Sequence, residues 1–227
     1  MKKSYLYIIA VMMTVLAGAL SSCSETNDDS EEFANWQQTN ADYFDQAYAN
    51  AKSLAATSSD CKVIRSYLLR DDSGNNKDKA YNSYDHIIVN VLNEGKGSGC
   101  PLYTDSVKVH YSGHLLPSKS YPQGYVFDQS WNGDYKLATM MPSKFAVAGT
   151  VTGFATALQY MHIGDRWQIT IPQQLAYGSD DTPGAAYSTL IFDVTLVAYY
   201  RADDTSWMKT RAADDGDNAP KGRWIYE

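Results

Sequence analysis

The chain has 227 residues, 44% of them hydrophobic, and a formal net charge of −7 at neutral pH. This length is that of one or two domains, and the apolar content is ordinary for a globular protein. The acidic balance argues against a nucleic-acid partner, because binding phosphates requires clustered lysine and arginine. Eighteen tyrosines favour β-rich structure with half-buried surfaces or binding sites.

Residues 1–22 have the features of a targeting segment. Lys2 and Lys3 form a basic start, and residues 5–20 are almost wholly apolar but short for a membrane span. The run ends in LSSC, which resembles the lipobox of bacterial lipoproteins. This resemblance implies cleavage before Cys23 and lipidation of its thiol. The alternative is an ordinary signal peptide followed by an incidental cysteine.

An acidic tether is predicted over residues 23–32, with five carboxylates among the nine residues after Cys23. Such charge runs are normally solvated. The stretch also resembles the export signal of surface lipoproteins in some Gram-negative bacteria. We therefore expect a lipid anchor in the outer membrane of the bacterial cell envelope. The protein would face either the periplasm or the cell surface.

The remaining cysteines and the histidines predict neither a metal site nor a cofactor. Cys61 and Cys100 are an even pair in an exported chain, so a disulfide is one option, but nothing in the sequence defines their separation. His110 and His114 lie in a strand pattern, where positions i and i+4 do not share a helical face.

Residues 33–83 are interpreted as a helical region followed by a strand and a loop. Residues 33–54 repeat aromatic residues and alanines every three or four positions without glycine or proline, which predicts a helix. We expect this helix to pack on the following domain; the alternative is a spacer arm or a surface for a homodimer. Residues 61–69 predict a strand, and residues 70–79 predict a polar loop.

Residues 84–200 predict one domain of the α+β class. Alternating apolar residues predict strands over residues 86–92, 106–116, 165–171 and 190–196. A single helix is predicted with Thr152 as its N-cap and Gly164 as its stop, since Phe154 and Leu158 recur at helical spacing. A sheet crossed by one helix is an α+β arrangement of ordinary single-domain size. Residues 201–227 are predicted to be mostly mobile, with RWIYE as an added edge strand.

The segment PQQLAYG, residues 172–178, lies between the last two predicted strands. It indicates a turn-rich loop that carries an exposed tyrosine, Tyr177. Core packing gives little reason for an aromatic residue in a loop bounded by proline and glycine. We therefore predict a concave apolar site on the sheet, with Tyr177 beside it.

Five segments, in order, resemble the FKBP-type peptidyl-prolyl cis–trans isomerases. They are VKVHYSGHL (107–115), VFDQS (126–130), a spaced VTGF…L…M…G (151–164), IP…LAYG (171–178) and TLIFDV (189–194). The resemblance implies an FKBP-like antiparallel half-barrel sheet wrapped around one short helix and preceded by a helical arm. The lipobox and the aromatic arm also resemble lipid-anchored members from Bacteroidetes-type bacteria.

The resemblance implies a pocket that accelerates X–Pro bond rotation in unfolded or loop segments of envelope proteins. Position by position, it implies pocket walls from Tyr111, Phe127, Asp128 and Phe192, a floor from Phe154, a rim hydroxyl from Tyr177, a ligand-binding backbone N–H from Val151 and a further substrate contact from Phe145. Each aromatic residue taken singly also fits an ordinary β core. Asp128 either lies near the rotating carbonyl or holds Tyr111 in place.

Two departures from the family pattern concern the efficiency of this pocket. Gly184 and Ala185 stand where the family has Ile-Pro, which removes an apolar wall and adds backbone freedom. The loop between Tyr111 and Phe127 is longer than in the minimal family domain. The alternatives to an isomerase are therefore a weakly catalytic chaperone that binds prolyl peptides and a scaffold lipoprotein, because a fold does not determine a function.

Overall fold

The computed structural model describes residues 32–70, 80–202 and 222–227. The chain divides into two units after Ala34, and the account below concerns the second unit, Asn35–Glu227. The predicted leader, Cys23, the tether, nearly all of the predicted polar loop and most of the predicted mobile tail lie outside the described residues. In the described parts of the chain, no helix has both the length and the apolar character needed to cross a membrane.

The described part of the second unit contains two α-helices and eight strands, which confirms the predicted α+β class. In chain order they are α1 (Trp36–Ala55), β1 (Cys61–Arg65), β2 (His86–Asn93), β3 (Ser106–His114), β4 (Val126–Gln129), β5 (Ser143–Ala146), α2 (Thr152–Leu158), β6 (Arg166–Ile171), β7 (Leu190–Ala202) and β8 (Gly222–Ile225). Short 3₁₀ turns lie at Tyr67–Leu69, Ser83–Asp85, Val147–Gly149 and Gln173–Leu175.

The strands form one antiparallel sheet in the order β1-β2-β6-β7-β3-β4. β5 pairs with β3 beside β4, and β8 pairs with β7. β8 places Trp224 opposite Tyr200, which confirms the edge strand predicted for RWIYE. The sheet also crosses the predicted domain start at Tyr84, since β1 pairs with β2; the boundary itself stays a prediction.

α2 lies directly on β6 and forms the core with it. Residues 153–158 of the helix are all buried, and the Trp167, Ile169 and Ile171 side chains opposite are at most 3% exposed, as their alternation predicted. Gly153 makes this approach feasible, because a Cβ there would lie 2.3 Å from Cγ2 of Ile171. The helix can therefore carry Phe154 deep against the sheet.

Three predicted boundaries are wrong. α2 ends at Leu158, with Gln159 as its C-cap, and not at Gly164. The N-cap position of α2 is Val151, without a side-chain cap, and Thr152 lies inside the helix. The strand predicted over residues 61–69 ends at Arg65. Ser66 N–H donates to the Asp85 carbonyl at 2.9 Å, and Tyr67 N–H donates to Thr156 Oγ1 of α2 at 3.3 Å, so the chain turns towards the helix.

α1 packs on the domain, as the first of its two interpretations predicted. Phe44 and Ala51 form a buried cluster with Cys61 of β1 and Ile88 of β2. The Cys61 thiol lies 3.6 Å from the Ala51 carbonyl oxygen, and both Cys61 and Cys100 are free, so they form no disulfide. The helix is thereby attached to the sheet edge through apolar contacts.

Truncation of Phe44 tests this attachment. Phe44 is 2% exposed, so we expect Phe44→Ala to lower the free energy of unfolding in urea by about 3–5 kcal/mol. Leu54→Ala on the same helix is the control, because Leu54 is 55% exposed and its loss should cost less than about 0.5 kcal/mol. Equal effects of the two substitutions would contradict the packing of α1 on the sheet.

Candidate active site

Five aromatic rings from five different elements form one continuous group, called here the aromatic cluster. In order of contact they are Phe145 (β5), Tyr111 (β3), Phe154 (α2), Phe192 (β7) and Phe127 (β4). Successive centroids are 5.3, 6.5, 4.9 and 5.5 Å apart, and each pair meets edge to face. This is a favourable geometry for aromatic pairs. The structure thus brings together all five aromatic walls and floors that the resemblance implied.

The cluster is closed at its centre and open at its ends. Tyr111, Phe154 and Phe192 are 7%, 4% and 6% exposed. Phe127 and Phe145, at the two ends, are half-buried. An apolar group entering between the end rings would therefore contact a floor that water hardly reaches.

A β-bulge in β4 allows two consecutive residues to face this site. Gly113 and His114 of β3 pair with Asp128 and Val126, which leaves Phe127 without a partner. Consecutive strand residues normally point to opposite faces, but a bulge re-aims a side chain. Phe127 accordingly packs on Phe192, while the Asp128 carboxylate accepts a 2.8 Å hydrogen bond from Tyr111 Oη.

Gly113 was not predicted as a site residue, yet the cluster depends on it. A Cβ at this position would lie 2.5 Å from Cε1 of Phe192 and 2.7 Å from Cζ of Phe127. The absence of a side chain lets both rings pack over the β3 backbone. A glycine in the interior of a strand is the available signal, since it often marks a close approach.

Tyr111 is held at three points around the site. Its hydroxyl donates to Asp128, its N–H donates to Ser130 Oγ at 2.9 Å, and its carbonyl accepts from the Ser130 N–H at 2.8 Å. Burial raises the pKa of Tyr111 above its ordinary value, and the hydrogen bond to Asp128 raises that pKa further. Of the two roles considered for Asp128, the geometry shows the holding of Tyr111.

Tyr177 places a neutral hydroxyl beside the same carboxylate. It follows the 3₁₀ turn Gln173–Leu175 and is half-buried. Burial raises its pKa, and the negative charges of Asp128 and Asp180 add to this. Among the described residues, no protein acceptor takes a hydrogen bond from the Tyr177 hydroxyl. This hydroxyl is therefore available as a donor.

Val151 supplies a second available donor. It precedes α2 in an extended conformation, with φ −59° and ψ 150°. No backbone carbonyl in the described part of the chain accepts from its N–H. Because Phe154 follows three residues later on the first turn of α2, this N–H lies at the helix end nearest the floor of the cluster.

The divergent Gly184-Ala185 segment is covered by the long loop before β4. Gly184 has a φ of +105°, and a Cβ there would lie 3.1 Å from Cε1 of Tyr125. Tyr121 in turn packs on Tyr125, with centroids 5.0 Å apart. Tyr125 thus supplies aromatic surface beside Gly184, where the family carries isoleucine. No sequence pattern indicated this contact.

The charged groups near the sheet do not converge on an ion. Across residues 32–70, 80–202 and 222–227, no three His, Cys, Asp or Glu side chains are arranged to hold a metal. His110 on β3 is 3% exposed, and burial lowers its pKa, so it is a neutral core residue at physiological pH.

An antiparallel sheet packed on one short helix, with a bulge-presented Phe-Asp pair and an aromatic cluster, agrees with the resemblance seen in the sequence. Residues 100–197 match the family model of the FKBP-type peptidyl-prolyl cis–trans isomerases. This part of the chain is therefore similar to the FKBP-type peptidyl-prolyl isomerases.

Individual relatives each match about half of the chain. The FKBP-type 22 kDa peptidyl-prolyl cis-trans isomerase of Escherichia coli K12 is 39% identical over 109 residues, which are 47% of this chain and 47% of that protein. The peptidyl-prolyl cis-trans isomerase Mip of Coxiella burnetii is 36% identical over 110 residues, 48% of this chain and 42% of the relative. The chain thus spans about half the length of the curated relatives it matches.

A solved structure of a peptidyl-prolyl cis-trans isomerase from Pseudomonas syringae pv. tomato was also matched. It is 23% identical, covers 70% of this chain and 94% of its own, and superposes with a TM-score of 0.45.

The raised pKa of Tyr111 predicts how stability depends on alkaline pH. Above about pH 10 the unfolded chain loses the Tyr111 proton while the folded protein keeps it. This contribution to stability is full below that pH and is lost as the pH rises towards the raised pKa. We measure the free energy of unfolding in urea between about pH 10 and 11.5. Its decrease with pH should be about 1 kcal/mol per pH unit smaller in Tyr111→Phe than in the wild type. Parallel slopes would show that Tyr111 ionises as readily in the folded protein.

Proposed function

We propose that this chain accelerates cis–trans rotation of X–Pro bonds by binding the twisted amide in the aromatic cluster. The observation that carries the proposal is the combination of a water-poor aromatic floor, centred on Phe154, with two hydrogen-bond donors, Tyr177 Oη and Val151 N–H, that no described protein group engages. The match of residues 100–197 to an isomerase family supports the same activity.

The mechanism requires no proton transfer and no nucleophile. Rotation about the C–N bond costs about 18–20 kcal/mol because it breaks amide resonance. Water stabilises the planar, charge-separated amide more than the twisted one, so a dry pocket lowers the barrier by preferring the twisted form. In this chain the prolyl ring would lie on Phe154, and Tyr177 and the Val151 N–H would hold the flanking carbonyls.

A second candidate function is a prolyl-peptide-binding chaperone with weak catalysis. It is favoured by Gly184, whose positive φ and missing side chain replace a family wall residue by backbone. Tyr125 covers part of that surface, which favours the isomerase over the chaperone.

For location and partners we propose a lipoprotein anchored through Cys23 in the bacterial outer membrane, on its periplasmic or surface face. Its substrates would be unfolded or loop X–Pro segments of envelope proteins, reached by a domain on the acidic tether that follows Cys23. The LSSC motif and the five carboxylates after it support this proposal. A homodimer through α1 would use the solvent-exposed side of the helix, which carries Tyr43 and Leu54.

Substitution of the rim donor and the floor tests the isomerase activity. In a protease-coupled assay on an X–Pro tetrapeptide, we expect Tyr177→Phe to lower kcat/KM about fivefold to tenfold, since it removes one hydrogen bond to the substrate. Phe154→Leu, which keeps the core filled, should lower kcat/KM by at least as much. Tyr160→Phe is the matched control, because Tyr160 follows α2 at its far end and is 40% exposed.

The outcomes separate the candidate functions. Unchanged kcat/KM in both Tyr177→Phe and Phe154→Leu would show that the pocket is placed wrongly. No acceleration by the wild type at micromolar concentration, with retained protection of a refolding client protein, would select the chaperone. Loss of both properties would leave the domain as a scaffold.

Replacement of the anchoring cysteine tests the location. We expect Cys23→Ser to move the protein from the membrane fraction to the soluble fraction, and globomycin to block processing of the wild type. Protease treatment of intact cells then distinguishes a surface-facing from a periplasm-facing domain. Unchanged membrane association of Cys23→Ser would contradict lipidation at this residue.

A further inference from the structure

The loop of residues 178–188, called here the rim loop, begins directly after Tyr177. Its base is closed by a 2.7 Å hydrogen bond from the Tyr187 N–H to the Gly178 carbonyl. Tyr187 has a φ of 60°, in the left-handed region that non-glycine residues rarely adopt. A chain held in such a conformation needs support from its surroundings.

The support comes from the first turns of α1, about 150 residues earlier in the chain. Trp36 Nε1 donates to Ser188 Oγ at 2.7 Å, and Ser188 Oγ donates to the Ala185 carbonyl at 2.7 Å. On the next turn, Asn40 Oδ1 accepts from the Thr189 N–H at 2.7 Å. The helix therefore bonds to the last residue of the rim loop and to the residue that follows it.

The residues that make these hydrogen bonds are buried. Trp36, Asn40, Ser188 and Thr189 are 8%, 1%, 4% and 1% exposed. The Asn40 amide is oriented by its own helix, because its Nδ2 donates to the Trp36 carbonyl at 2.8 Å. Buried polar groups are costly when unpaired, so a displaced rim loop would leave several groups unsatisfied.

The attachment of α1 to the sheet does not by itself require this polar contact. Phe44 and Ala51 already bury the middle and end of the helix against β1 and β2. The buried polar groups are confined to the end of α1 that meets the rim loop. An arrangement specific to one loop, at the edge of the candidate pocket, indicates that the loop conformation is what the contact determines.

We propose that Trp36 and Asn40 are positioning residues for the isomerase site, which hold the rim loop and thereby Tyr177 at the pocket. The inference rests on the proposed function, since it assigns these residues to that same site. Ser188 transmits the contact to Ala185, beside the Gly184–Tyr125 contact, and the Tyr187–Gly178 hydrogen bond transmits it to the residue after Tyr177. The N-terminal helix is then part of the catalytic apparatus, although it lies outside residues 100–197 that match the isomerase family.

A double-mutant cycle in the full-length protein tests this positioning. Trp36→Phe keeps an aromatic side chain, though a smaller one, and removes the N–H. We expect it to lower kcat/KM about fivefold, the equivalent of one net hydrogen bond. In a Tyr177→Phe background the same substitution should lower kcat/KM less than twofold, because its effect passes through the Tyr177 hydroxyl. Ser188→Ala gives a second route to the same result if Trp36→Phe folds poorly.

Tyr48→Phe is the matched control on the same helix. It also removes a polar group from an aromatic side chain, but its ring packs on His86, 5.2 Å away, and not on the rim loop. We expect its kcat/KM to equal that of the wild type. Fully multiplicative effects of Trp36→Phe and Tyr177→Phe would overturn the inference, because a general loss of stability does not depend on Tyr177.

Hydrogen exchange gives a readout that is independent of activity. In Trp36→Phe the Gly184 and Tyr187 amides, both hydrogen-bonded within the rim loop, should exchange at least fivefold faster, while the amides of β6 should not change. Unchanged exchange in the rim loop would overturn the inference even if activity falls. If the wild type proves inactive, the proposed function fails, and the exchange data still decide whether α1 holds the loop.

Discussion

The structure depends on the close contact between α2 and β6. A Cβ at Gly153 would lie 2.3 Å from Cγ2 of Ile171, so a glycine at this position lets the helix pack closer to the sheet than a larger residue would. This close packing places Phe154 against Phe192 and at the centre of the aromatic cluster. It also brings the free N–H of Val151, at the start of the helix, to the same place. The position of the helix therefore sets both the floor of the site and one of its donors.

Two features of β3 and β4, a glycine and a β-bulge, let side chains pack around the floor of the site. Gly113 omits a side chain, so the Phe127 and Phe192 rings can meet over β3. The bulge inserts one residue into β4, so Phe127 and Asp128 both face the site. Together they combine an apolar wall with a carboxylate that orients Tyr111, on a rigid sheet rather than on a loop. Rigid support suits the proposed isomerase activity, which would depend on binding one amide geometry.

The least regular part of the site is also the part that distant chain segments stabilise. The rim loop lacks the family's isoleucine, and Tyr125 covers Gly184 from one side. Trp36 of α1 donates a hydrogen bond to Ser188 at the end of the same loop. Each contact joins segments far apart in the sequence, so the loop depends on the completed fold. The described part of the chain thus compensates for a local departure with tertiary contacts.

Local patterns were enough to predict much of this protein. Alternation and helical spacing identified the strands of the central sheet, α1 and α2. The ordered motifs identified the five rings of the aromatic cluster. Side-chain periodicity and motifs are properties of the chain itself. Both ends of α2 were missed. The end of β1 was missed because hydrogen bonds of Ser66 and Tyr67 to Asp85 and Thr156, far away in the sequence, decide it.

Only the tertiary structure revealed the bulge, the clearance at Gly113, the Tyr125 contact and the bond from α1 to the rim loop. The physical reason is common to all four. Each depends on how two elements are placed in space relative to each other, which local sequence patterns do not specify. The sequence by itself determined which aromatic residues form the cluster, and the packing of the helix and loops on the sheet decided how they are held.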